Sequence, residues 1–270
     1  MGKDKAGKDY WDEVWTDNFL PIPIDPGKTN VVNYVNLRFH EYFSRIFAQI
    51  DLPGKMLLEV GCARSAWLPY FSQQFDFNVL GLDYSERGCE QSRKILSNAN
   101  VLGRVICADF FSPPASLLGI FDVVVTFGVA EHFADTRSCI KALSRFLKPG
   151  GLLITNIPNM VGMIGTIEKM INPAVYDIHV PLDSQQLSEA HKLSGLEVLQ
   201  CDYFLSTNFG VLNLNGLDSK SLEWMLKKMF IRILKLSSAL TWVFERIFIR
   251  FHPTKLWSPY INCLAQKPYE

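Results

Sequence analysis

Two acids and one glycine set the chemistry open to this chain. The apolar run Met56-Leu57-Leu58-Glu59-Val60 carries an acid just before Gly61, and Cys62-Ala63-Arg64-Ser65 follow. About twenty residues on, a second apolar run, Asn78-Val79-Leu80-Gly81-Leu82, ends in Asp83-Tyr84-Ser85. A strand, a glycine turn, a helix and a second strand ending in an acid make a βαβ unit that holds a nucleoside against bare backbone. Asp109-Phe110 closes a third apolar run, and Phe127-Gly128 closes a fourth.

The elements that position these residues alternate. Strands are predicted over Met56–Val60, Asn78–Leu82, Val105–Ala108, Phe121–Phe127 and Gly151–Ile157, with helices over Ala66–Phe75, Glu86–Ala99 and Thr136–Phe146 between them. Such alternation implies a parallel sheet with right-handed crossovers, which binds ligands outside the carboxyl ends of its strands. That edge gathers Gly61, Asp83, Asp109 and Phe127-Gly128. Leu196–Phe204 and Tyr260–Gln266 complete a Rossmann-like α/β fold with a seven-stranded, mostly parallel sheet and helices on both faces. Residues 1–54 read as an N-terminal helical cap, with helices over Asp9–Asn18 and from Thr29 or Asn30 to about Ile50, stopped by Pro53-Gly54. Residues 55–157 form the nucleoside-binding core of one domain spanning 1–270. Its second half, 158–270, begins with a lid-like helix and loop at Pro158–Pro181 and includes a helix at Ser184–Ser194. A helical insertion at 205–255 precedes the last strand.

Composition narrows the partners. Twenty-seven basic and twenty-seven acidic residues balance, whereas a nucleic-acid binder shows a basic excess, so that class is disfavoured. Six scattered cysteines with no C-x-x-C pair argue against a metal or redox site. The polar start, Met1 to Lys8, has no apolar core behind it, and a cytoplasmic location is expected. Residues 219–251 are rich in Leu, Ile, Phe and Trp, with Lys228, Arg232, Lys235, Arg246 and Arg250 sharing one helical stripe. The longest uncharged run there, Leu236 to Phe244, is nine residues, against the roughly twenty a spanning helix needs. A cap over the active site, a homodimer contact and a peripheral membrane contact all fit this segment.

The turn also discriminates among nucleosides. Gly61-Cys62-Ala63-Arg64-Ser65-Ala66 lacks the later glycines that let a pyrophosphate sit on backbone amides, and no P-loop lysine pattern is present. A nucleoside without phosphate fits better, and S-adenosylmethionine (SAM) is one. Taken in order, Glu59-Val60-Gly61-Cys62-Ala63, Asp83, Cys107-Ala108-Asp109-Phe110, Phe121 to Gly128 with Glu131-His132-Phe133, and Leu147-Lys148-Pro149-Gly150-Gly151 resemble the motifs of the class I SAM-dependent methyltransferases. The resemblance implies that Asp83 takes the ribose hydroxyls and Asp109 stands beside the adenine amino group. It also implies that Glu59, Gly61, Cys62, Ala63, Tyr84, Ser85, Phe110, Phe127 and Gly128 surround the cofactor.

Methyl transfer is an in-line displacement, and a neutral hydroxyl acceptor benefits from a base. His132, just after the fourth strand, and His179, in the lid-like segment where related enzymes often carry an acceptor-site histidine, are the candidates. Tyr10, Trp15, Asn156, Asn159 and Tyr203 are candidate acceptor contacts. The expected activity is methylation of a small, hydrophobic or partly hydrophobic acceptor at oxygen. Amine or sugar acceptors of a secondary-metabolite or glycan pathway, and a non-catalytic SAM-fold protein docking through 219–251, stand as alternatives.

Overall fold

The computed structural model describes residues 4–15, 19–48 and 54–269. Helix α1 (Lys8–Val14) precedes a single turn at Val31–Asn33 that runs into α2 (Tyr34–Phe47). Asn30 starts that turn as expected, its side chain accepting from the Asn33 amide. Asn18, Ile50 and Pro53, the expected limits of these helices, lie outside the described residues.

Next come β1 (Met56–Val60), α3 (Trp67–Phe75), β2 (Asn78–Asp83), α4 (Glu86–Asn98), β3 (Gly103–Cys107), β4 (Phe121–Phe127), α5 (Thr136–Ser144) and β5 (Leu147–Pro158). The second half contributes α6 (Met163–Ile171), α7 (Pro173–Asp177), α8 (Ser184–Leu193), β6 (Glu197–Phe204), α9 (Leu222–Ile247) and β7 (Tyr260–Gln266). The strands form one sheet in the order β3-β2-β1-β4-β5-β7-β6. Strands β1 to β5 pair in parallel, and β7 runs antiparallel between β5 and β6. The fold class expected from the sequence is the one found. Strand order reverses between β1 and β4, and a ligand crevice opens at such a switch point.

Both sheet faces are buried, as runs without alternation require. Leu58, Val60, Leu80, Leu82, Val124 and Leu153 pack on one face against Ile140 and Leu143 of α5 and Leu187 of α8. Leu57, Val79, Val123, Val125 and Ile154 pack on the other, under Phe39, Phe43 and Phe47 of α2 and Leu68 and Phe71 of α3. Lys148-Pro149-Gly150-Gly151, mostly ahead of the fifth strand expected over Gly151–Ile157, forms an irregularity inside β5, where the register with β4 jumps between Phe121 and Val123. Lys148 holds it there, its Nζ donating to both carboxylate oxygens of Asp122.

Candidate active site

Above the β1–β4 crevice lies a cavity of about 360 Å³. Its floor is the turn after β1. Gly61 adopts φ +78°, and a β-carbon there would overlap Val129; the turn can pass under the loop after β4 only as glycine. The Gly61 amide donates to Leu82 O at 2.8 Å.

Neighbouring residues absorb the departures from a glycine-rich turn. Cys62 points down into the core, and a β-carbon on Gly81 would come 2.6 Å from its sulfur. The Ala63 methyl fills the space left by Gly88 of α4, whose β-carbon would overlap it. Ser65 donates its hydroxyl to Glu59 Oε2 at 2.6 Å and accepts from the Trp67 and Leu68 amides at 3.0 and 3.2 Å, capping α3. Burial pushes the Glu59 carboxyl up to about 8, with the Ser65 bond opposing the shift.

Asp83 closes the opposite wall. Its Oδ2 accepts from the Ala63 amide at 3.0 Å and its Oδ1 from the Ser85 amide at 2.8 Å. Each carboxylate oxygen keeps a lone pair for a ligand hydroxyl. Burial raises its pKa to about 6 against those bonds. Tyr84, Phe110, Phe127 and Gly128 complete the wall, Phe127 backed by Trp67 stacked at 4.8 Å.

The N-terminal segment forms the roof. Asp4 accepts from Trp11 Nε1 at 2.9 Å, from the Ala6 amide at 2.8 Å and from the Tyr84 hydroxyl. Trp11 stacks on Trp15 and meets the His132 ring edge-on at 5.0 Å. The Arg64 guanidinium lies over Trp15 and donates to Phe19 O. Asp4, Trp11 and Trp15 all line the cavity. Only the aromatic residues were legible as candidates; nothing in the spacing of the charged first residues singled out Asp4.

At the far end stand Glu131, His132 and His179, whose ligand-type atoms lie within 4.8 Å of one another. One carboxylate and two imidazoles could take a divalent cation. His132 Nδ1–H donates to Ile178 O at 3.0 Å and His179 Nδ1–H to Val175 O at 2.6 Å, leaving both Nε2 atoms unprotonated. The ring centroids are 4.7 Å apart. Burial lowers the pKa of both, that of His179 to about 4 with the His132 charge adding to the effect, so both imidazoles are neutral. Glu131 is buried with neither carboxylate oxygen hydrogen-bonded, and burial raises it to about 8.

Glu59, Gly61, Ala63, Asp83, Tyr84, Phe110, Phe127, Gly128, His132 and Trp15 thus come together around one cavity. Other candidates do not reach it. Cys62 is core, and Ser85 caps α4 and donates to Asp12. Asp109 is exposed and holds the Phe111 amide. Tyr10 faces toward Glu168 of α6, and His179 sits one ring behind His132. Asn156 is spent on Asn262, and Asn159 on the carbonyls of Lys255 and Ser258. Tyr203 packs against the core from β6. No residue of α9 lines this cavity. The helix packs on the turn at Phe209–Val211, where Ser238 accepts from the Phe209 amide, and on Tyr34, whose hydroxyl donates to Glu245.

The family model described as "Methyltransferase domain" matches residues 58–155, the span that builds the floor and walls. Residues 58–155 are a class I SAM-dependent methyltransferase domain. Its cofactor is accordingly SAM, and the residues present fit that molecule: two acids, a bare turn and aromatic walls, without a phosphate cradle. Among its relatives, the Ubiquinone biosynthesis O-methyltransferase of Pseudomonas entomophila is 28% identical over 160 residues, covering 56% of this chain and 68% of that protein. The Probable tRNA methyltransferase 9B of Mus musculus is 30% identical over 166 residues, covering 56% of this chain but 32% of its own length. Among solved structures, the [4+2]-cyclase SpnF superposes with TM-score 0.62 at 15% identity, covering 100% of this chain and 98% of its own. Geranyl diphosphate C-methyltransferase from Streptomyces coelicolor A3(2) gives 0.56 at 13%, covering 96% of each. At such identities the likeness is one of fold, and a cyclase on the same frame shows how little the frame says of the acceptor.

Proposed function

We propose that this methyltransferase acts on oxygen of a small, partly hydrophobic acceptor. The observation that carries the reading is the neutral imidazole of His132, backed by that of His179, at one end of an aromatic-walled cavity whose other end holds Asp83. In this reading SAM lies with its ribose on Asp83 and supplies the methyl group. The acceptor oxygen attacks the methyl carbon as the carbon–sulfur bond breaks, its electron pair going to sulfur and leaving S-adenosylhomocysteine. The hydroxyl proton passes to the unprotonated Nε2 of His132 at the wall, with the His179 imidazole packed behind it. Their Nδ1–H bonds to backbone carbonyls fix the tautomer this requires. Trp11, Trp15 and Phe133 exclude water and offer apolar contact to the acceptor. Residues 55–157 serve as the cofactor half, 158–270 as the acceptor-side half and 1–54 as a cap, all in one domain. An O-methyltransferase among the relatives supports oxygen as the methylated atom.

The test is methyl-labelled SAM offered with a panel of phenols, aliphatic alcohols, amines and sugars, with products read by mass spectrometry. Label in phenolic or alcoholic oxygen is expected; transfer confined to amines overturns the reading. His179→Ala should cut turnover by about a hundredfold while SAM affinity stays near that of the parent, and full activity in that variant would remove His179 from any part in the reaction.

A further inference from the structure

Helix α9 is amphipathic in the wrong sense for a helix that only packs on its own protein. Its buried side chains, Ile231, Ser238 and Glu245, recur every seven residues along one narrow line. At 100° per residue the opposite side carries Leu222, Met225, Leu226, Met229, Phe230, Ile233, Leu236, Leu240, Val243, Phe244 and Ile247, all solvent-exposed. They cover an arc of about 140° with no charge inside it. The stripe runs the full 26 residues of the helix, about 39 Å, and Phe248, Ile249, Phe251 and Trp257 extend it beyond. An apolar patch of this length is far outside what a monomeric surface carries by chance.

Charge decides the occupant. Residues 219–255 hold eight Lys or Arg against two Glu, in a chain whose formal charges sum to zero. Both acids are spent: Glu223 pairs with Lys227, and Glu245 is buried, accepting from the Tyr34 hydroxyl and the Phe251 amide. Lys228, Arg232, Lys235 and Arg246 line one flank of the apolar arc, and Arg232 and Lys235 are exposed. With Arg250 paired to Glu41 and Lys255 to Asp183, the segment is still net basic, and a second copy of the chain would bring two such segments together, which like charges oppose. The stripe is convex and almost without hydrogen-bonding atoms, so it offers a folded partner neither a groove nor a register. An acyl-chain surface with anionic headgroups needs neither and takes both features at once. Among the described residues no helix is long and apolar enough to cross a membrane, which leaves α9 lying on one.

We propose that α9 and the segment after it form a membrane-surface docking face, seated in the interface of an anionic bilayer with the apolar arc toward the acyl chains. The seat does not depend on the identity of the acceptor. It is anchored to the sheet, because Asn159, directly after β5, donates to the carbonyls of Lys255 and Ser258.

The full chain is sedimented with vesicles of phosphatidylcholine alone and of phosphatidylcholine mixed with phosphatidylglycerol. Binding to the mixed vesicles, weakened by salt, is expected. The triple variant Met229→Glu, Ile233→Glu, Leu240→Glu, all at exposed positions, should lose at least tenfold in vesicle affinity, and Arg232→Glu with Lys235→Glu should lose binding chiefly to the anionic vesicles. Calorimetry with S-adenosylhomocysteine should be unchanged in both variants, which separates a failed docking face from a failed fold or cofactor site. Equal partitioning of parent and triple variant overturns the proposal. So does a lipid-free dimer in sedimentation velocity that the triple variant abolishes, since the face would then be covered by a second copy.

Discussion

Gly88 is the residue on which the unusual turn after β1 rests, and Gly88→Ala tests that directly. Two terms oppose each other. In a helix interior alanine is better than glycine by about 1 kcal/mol, so a substitution free of contacts would stabilise α4. The new β-carbon would, however, overlap the Ala63 methyl and come 3.1 Å from the Ala63 Cα. Forcing a methyl into a filled space costs about 1–3 kcal/mol, and the turn can yield only by lifting Ala63. Its amide, 3.0 Å from Asp83 Oδ2, would move with it. Gly88→Ala is therefore expected to lower stability by about 1 kcal/mol net and to weaken binding of S-adenosylhomocysteine as the ribose acid loses a donor. Adding Ala63→Gly removes the methyl and leaves the 3.1 Å approach to Cα, which a few tenths of an ångström of movement relieves. The double variant should recover most of the affinity and exceed the single in stability, a coupling that urea unfolding and calorimetry both read. Parental stability and affinity in Gly88→Ala, or no recovery in the double variant, would refute the packing argument.

Asp83→Asn should lower cofactor affinity by tenfold or more, because a ribose hydroxyl bonds an ionised acceptor more strongly than a neutral one. Since hydroxyl donors favour the charged form, parental affinity should fall as pH drops through about 6, and the variant should lose that dependence; a flat parental profile sinks the ribose assignment. Ser65→Ala removes the cap of α3 and strands the buried Glu59 carboxyl, so chemical denaturation should show a loss of about 2 kcal/mol, and a change under about 0.5 kcal/mol would contradict the role given to that hydroxyl. Asp4→Ala releases Trp11 and Tyr84 from the roof, and stopped-flow tryptophan fluorescence should then show S-adenosylhomocysteine leaving faster; an unchanged off-rate would mean that this segment does not close the site.

The sheet was legible because its residues obey local rules. Runs such as Leu57-Leu58 and Val123-Val124-Val125 can only be covered strands, and Gly61 and Asp83 stand where a βαβ unit must place them. What escaped was set by contacts distant in sequence. Asp4 reads as one charge in a polar leader, yet the fold brings it 80 residues across to Tyr84. Ser65 reads as a lost glycine, although its hydroxyl ties Glu59 to the first turn of α3. Asn156 and Asn159 are placed correctly at the end of a strand, but whether an amide faces a ligand or a neighbouring strand depends on β7, a hundred residues later. The insertion shows the same dependence in reverse. An apolar, aromatic segment before the last strand suggests a pocket wall only if the arc opposite its buried line also meets protein. In α9 it does not: Ile231, Ser238 and Glu245 use up the contact with the domain, and the greasier surface is turned outward. Hydrophobicity alone therefore cannot say which way such a helix faces. The heptad spacing of its buried residues can, and it turns the apolar arc outward, away from the domain.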